Sequence, residues 1–168
     1  MQVFVQTFGH AMIEAFLEEG DLRFLRDSDG DFVVEFGYDE EIAGHPRFLL
    51  VAAGDEREQY CLRGDTLRRV PRSAWDRSIR LCNEWNAQYK LPKVYLEIDD
   101  PNASISGRVV CEQWLNLEAG VHQELINAVT STFFSACFGF WRWLERQADL
   151  ESLGEPEPED NDRAVEDN

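Results

Sequence analysis

The stretch from Val121 to Gln147, VHQELINAVTSTFFSACFGFWRWLERQ, reads as one long helix with more apolar surface than a single face can use. Ile126, Val129, Phe133, Cys137, Phe140 and Leu144 form one stripe, Phe134, Phe138 and Trp141 form a second, and Trp143 lies on another bearing. A helix laid on one sheet needs an apolar arc of about 100°. This helix exceeds that arc between Phe133 and Trp143, so the fold must cover it on more than one side. The cover is a second copy of the chain, an N-terminal segment folding back, or a client protein. Phe134, Phe138 and Trp141 are the candidate partner-binding residues. A membrane span over residues 125–144 is not expected, because Asn127, Thr130, Ser131, Thr132, Ser135 and Arg142 are too polar for a lipid-facing helix.

Upstream, the apolar period switches between helix and strand. Residues 7–19 fit a first amphipathic helix, with Phe8, Met12, Ala15 and Phe16 at helical spacing, Leu17 beside them and Gly20 closing it. LRFLRDSDGDFVVEFGY predicts a hairpin with arms from Leu22 to Arg26 and Phe32 to Phe36 and a turn from Asp27 to Asp31. HPRFLLVAAG supplies a third strand, and EQYCL, Glu58 to Leu62, belongs to another. PRSAWDRSIRLCNEWNAQYK predicts a second helix. Pro71 suits its start and Ser73 its cap, with Trp75, Ile79, Cys82 and Tyr89 on one stripe beside Leu81 and Trp85. After Pro92, KVYLEID and GRVVCEQWLNL read as strands joined through the turn DDPNAS. The order α-β-β-β-α-β-β-α predicts one α+β domain over residues 1–148, an antiparallel sheet with helices packed mainly on one face.

Asn83 and Asn86 flank Trp85 at positions where a plain packing helix carries Ala or Leu. A buried amide must find partners. Asn83, Trp85 and Asn86 are therefore read as a structural junction, in which Asn86 bonds backbone and fixes the strand that starts near Lys93.

Charge narrows the function classes. The formal net charge of −17 repels phosphate backbones, so nucleic acid is not an expected partner. Residues 149–168 hold nine Asp/Glu and one Arg, which is −8 of that total, with two prolines and no aromatic. They are expected to form an acidic, disordered tail. Cys61, Cys82, Cys111 and Cys137 are scattered without a CxxC pair, the pattern of free thiols, and with no signal-peptide pattern at the N-terminus this predicts a cytoplasmic protein.

Motifs for chemistry are few. Counted from Asp27, a calcium loop needs Gly at position 6 and Glu at position 12, and the chain has Phe32 and Tyr38 there. Asp and Gly at these positions suit a tight turn instead. His10, His45 and His122 have no nearby Cys or His partner, and the sequence lacks GxSxG, GxxxxGK[ST] and GxGxxG. No metal, cofactor or catalytic residue is predicted.

Three segments carry a family resemblance: IEAFLEEGDLRFLRDSDGDFVVEF, NEWNAQYKLPKVYLEID and VVCEQWLNLEAGVHQELI. Over residues 10–147 the chain resembles the bacterial YbjN family of sensory transduction regulators. The resemblance implies a type III secretion chaperone-like fold and a protein that is usually dimeric and binds client segments without nucleotide. The expected function is a non-enzymatic protein-interaction module, chaperone-like or regulatory, working as a homodimer through the aromatic surface of the last helix or a sheet edge. The alternative is a small-molecule sensor or cryptic enzyme with a pocket between sheet and helices, for which Asn86, Glu112 and His122 are the candidate polar groups.

Overall fold

The computed structural model describes residues 4–147, so the predicted disordered tail at 149–168 lies outside the described residues. The chain opens with α1 (His10–Glu19), which buries Met12, Ile13, Phe16 and Leu17 and ends where the Gly20 N–H bonds to the Phe16 carbonyl. It begins three residues later than its periodicity suggests, because Gly9 is extended; Phe8 is buried all the same. β1 (Leu25–Arg26) and β2 (Phe32–Glu35) form the hairpin. The Asp27 carboxylate accepts the N–H groups of Asp29 and Asp31, each at 2.9 Å, and Gly30 takes the positive φ of 90° that the turn requires.

β3 (Arg47–Ala53) and β4 (Gln59–Asp65) follow, then the short β5 (Val70–Pro71) and a 3₁₀ turn at Arg72–Ala74. α2 (Trp75–Gln88) leads into β6 (Lys93–Glu97), β7 (Ser106–Asn116) and the long α3 (Gln123–Gln147). All strand pairs are antiparallel in one seven-stranded sheet of order β1-β2-β3-β4-β7-β5, with β6 also on β7. This is the expected α+β architecture.

One face of the sheet is sealed. Phe32, Val34, Phe48, Leu50, Tyr60, Leu62, Val94 and Cys111 point from it into one core with the buried residues of the three helices. Phe48 is its hub: it stacks on Phe134 at 3.9 Å between ring centroids and also meets Phe36, Phe133, Phe138 and Trp141. Its cross-strand partner is Gly64, where an added Cβ would sit 3.1 Å from the Phe48 ring and 3.4 Å from Trp141. At the other end of the contact, the Tyr60 hydroxyl bonds Thr130 Oγ1 at 2.8 Å inside the core.

The start of α2 differs from its sequence reading. Pro71 closes β5 opposite Ser106, and the helix begins at Trp75 with Ala74 as its N-cap and no side-chain cap from Ser73. Ile79 and Tyr89, read as core, are 51% and 46% exposed, and the buried face runs through Trp75, Ser78, Leu81, Cys82 and Trp85. Ser78 is tolerated there because its hydroxyl bonds back to the Ala74 carbonyl at 2.9 Å.

Phe48→Ala is expected to cost about 3–5 kcal/mol of unfolding free energy, because five rings lose their common partner. Urea denaturation measures it, and a loss below about 1 kcal/mol would remove Phe48 from its central place.

Candidate functional site: the open face of the sheet

No helix among the described residues covers the other face. Strand register places Leu25, Val33, Leu49, Arg63, Glu112 and Lys93 in one row across six strands, so the row is aliphatic over β1–β3 and charged over β4, β7 and β6. Val51, Cys61 and Trp114 form a neighbouring row, and Glu35, Arg47 and Asp65 form another on the opposite side. Leu25 is 68% and Trp114 52% exposed, with Val33, Leu49 and Val51 half-buried between them. Two shallow grooves of about 200 and 140 Å³ share Val33 and cross this face. One runs over Arg47, Leu49, Arg63, Asp65, Glu97 and Arg108, the other over Arg23, Phe24, Leu25 and Glu35.

The charged half is knitted together. Arg47 bonds Asp65 at 2.8 Å, with Arg108 3.9 Å from the same carboxylate oxygen, and Arg63 bonds Glu97 at 2.6 Å. Glu112 accepts from Lys93 at 2.5 Å and from the Tyr95 hydroxyl at 2.7 Å. Burial opposes the Glu112 charge, but these two bonds outweigh it and hold the carboxyl below the usual carboxylate range. Burial and the bond to Glu112 push the Tyr95 phenol up. Beneath the pairs, Val110 and Cys61 belong to this face by register yet are only 2% exposed, and burial pushes the Cys61 thiol up to about 12. An inert thiol results.

The candidate residues are distributed over separate places. Trp141 is 2% exposed, so it does not belong to an accessible aromatic surface. Phe134 and Phe138 are half-buried, covered by Phe16 of α1, by Phe48 of β3 and by Phe36 just after β2. Trp85 is buried, stacks on Tyr89 at 4.0 Å and donates to the Pro92 carbonyl at 3.3 Å. Asn86 is exposed at its edge rather than buried. Its amide nevertheless donates to the Val94 carbonyl at 2.8 Å and accepts the Val94 N–H at 3.0 Å. Asn83 is exposed. Glu112 lies on the open face, Asn86 on the helix side, and His122 accepts the Leu125 N–H at the start of α3, so these three do not converge.

Between sheet and helices, a cavity lined by Thr66, Arg68, Val109, Trp141 and Glu145 holds about 20 Å³, room for one water. Arg68 and Glu145 form a buried ion pair in its wall. The sequence reading missed the open face, although the parity of Arg47, Leu49, Arg63, Asp65, Glu112 and Trp114 along their strands carried the signal.

The fold and this face define a class of single-sheet α+β proteins whose accessible surface is a shallow sheet face rather than a deep pocket. A family model, YbjN, described as "Putative bacterial sensory transduction regulator", matches residues 10–146, and the chain belongs to the YbjN family. The crystal structure of YbjN from E. coli, described as a putative transcription regulator, is similar with a TM-score of 0.67 at 12% identity. The likeness covers 86% of this chain and 96% of that one, and it shows the shared fold. No curated protein matches this chain. No helix among the described residues is long and apolar enough to cross a membrane.

Two expectations follow from this geometry. Asn86→Leu should lower stability by about 1–3 kcal/mol, since it strands both polar groups of Val94. A melting temperature within about 1 °C of the parent would remove the clamp from the account. Glu112, with its lowered carboxyl, adds stability above its unfolded pKa and loses it as pH falls through the folded one. Urea midpoints of Glu112→Gln should therefore lie below the parent at pH 7 and converge with it toward pH 3. A constant gap across that range would count against the ion pair.

Proposed function

We propose that this chain is a non-enzymatic regulatory module, chaperone-like and cytoplasmic, that binds a protein segment on the open face of its sheet. The observation that carries the reading is the cross-strand row from Leu25 through Leu49 to Lys93, an accessible strip that is apolar at one end and ionic at the other. It suits an extended segment with apolar side chains followed by mixed charges, since strands and sheet faces read alternate side chains. The carboxylates of this face, Asp65, Glu97 and Glu112, are each held by an arginine or lysine, which favours recognition over acid–base work. The half-buried flanks of Phe134 and Phe138 add at most a small second contact. A homodimer through the same face is the form this reading takes when the segment belongs to a second copy.

Peptides selected from a displayed library should bind the full chain and share an apolar–charged pattern. A Leu49→Asp/Val51→Asp variant with parental near-UV circular dichroism should bind them at least about tenfold more weakly. Equal binding to both proteins would reject this face. Sedimentation of the same pair separates a second copy from a foreign segment: a dimer lost in the variant assigns the face to self-association.

A further inference from the structure

β7 spans 11 residues against 7 for β4 and 5 for β6, so its neighbours leave part of it unpaired. The Leu117 N–H donates to the Glu58 carbonyl at 2.8 Å, which points the backbone groups of Leu117, Leu115 and Gln113 to the β4 side. Those of Glu112, Trp114 and Asn116 point to the other side. β6 reaches only the first of these three. Its register on β7 starts with Lys93 opposite Glu112, and before Lys93 the chain turns back toward α2, where the Pro92 carbonyl accepts from Trp85. Among the described residues, no backbone group pairs with the N–H or C=O of Trp114 or Asn116 on that side. Beside this edge, on the helix side of the sheet, a groove of about 150 Å³ runs between Leu91, Gln113 and the α3 residues Ala128, Val129 and Thr132. Ala128 and Thr132 are exposed. The side-chain oxygen of Gln113, in the groove wall, is buried and accepts no hydrogen bond from the described residues.

We propose that an extended segment of a protein partner adds to β7 at Trp114 and Asn116, antiparallel like every other pair of this sheet, with a hydrogen-bond-donating side chain in the groove against Gln113. The bare groups specify the occupant. N–H and C=O groups two residues apart in strand geometry match the backbone of another strand, and each bond made contributes about 0.5–1.5 kcal/mol net. Side chains of an added strand alternate between the two faces, so the one opposite Gln113 enters the groove and the next lies by Trp114 on the open side. A buried acceptor left unpaired costs about 1–3 kcal/mol, so the groove favours a side chain that donates, such as threonine, over an aliphatic one. The site stands apart from the open-face reading, because neither the edge nor the groove uses Leu25, Val33 or Leu49.

The probe is a short end-blocked peptide of alternating valine and threonine, with a terminal lysine for solubility, titrated into the full chain. The amide signals of Trp114 and Asn116 should shift saturably with a Kd below about 10 mM, and their hydrogen exchange should slow at least about fivefold. With threonine in the groove, the valine nitrogens face β7. Methylating them should weaken binding at least about tenfold, whereas methylating the threonine nitrogens should leave it within about twofold. Ala128→Arg/Thr132→Arg fills the groove from the exposed side of α3 and should also weaken binding at least about tenfold; Asn116→Pro, which removes one edge N–H, takes its place if that variant does not fold. Leu49→Asp/Val51→Asp should bind like the parent. No saturable binding, equal effects of the two methylations, or parental binding by the groove variant would overturn the proposal. Slow exchange of the Trp114 and Asn116 amides in the free chain at every concentration would overturn it by assigning the edge to another part of this chain, and slowing that grows with protein concentration would assign it to a second copy. Loss of binding in Leu49→Asp/Val51→Asp alone would move the peptide to the open face.

Discussion

The fold depends on one contact, the ring of Phe48 lying over the bare backbone of Gly64. Phe48 stands on a central strand, and α3 is seated by the four aromatic side chains it presents there, Phe133, Phe134, Phe138 and Trp141. A side chain at position 64 would lift the Phe48 ring and press on Trp141 together. Aromatic pairs contribute about 0.5–1.5 kcal/mol beyond their burial, so a hub shared by five of them concentrates stability in a way scattered leucines would not. The apparent excess of apolar surface on α3 follows from this. Its second stripe packs on Phe16, Phe36 and Phe48, which come from three different parts of the chain.

Sealing one face with the three described helices leaves the other without a cover among the described residues, and a bare sheet invites association through its face and its edges. The chain meets the two hazards differently. Across the face, ion pairs from Arg47 to Lys93 cover Val110 and Cys61. At the β6 edge, one side-chain amide takes both polar groups of Val94 and does what a further strand would do. These devices do not extend over Leu25, Val33 and Leu49, where the strip stays accessible. A surface protected at its charged end and left open at its apolar end is selective, since a ligand must match both.

Much of this was legible in the residues. The DSDGD turn follows from Asp and Gly chemistry, the strands at 47–53 and 93–97 from alternation, and a bonding role for Asn86 from an amide on a helix that packs on a strand. Other parts were not legible, because they depend on register and on distant partners. Ile79 has core spacing and faces solvent, and β5 is two residues long and includes a proline. Helical period marks how wide an apolar arc is, but not which element covers it, so Trp141 looked available when Phe48 and Phe138 already enclose it. The open face needed both strand parity and the pairing of β4 with β7, which are separated by a whole helix.

Net charge says little about partners unless its placement is known. The total of −17 argues against nucleic acid, yet on the open face the charges are paired: Asp65, Glu97 and Glu112 each meet an arginine or lysine. A ligand on that face therefore meets a set of local pairs and not the total, because screening reduces the influence of charges beyond about 8 Å at physiological salt. The charge of the chain thus acts there through its geometry rather than its sum.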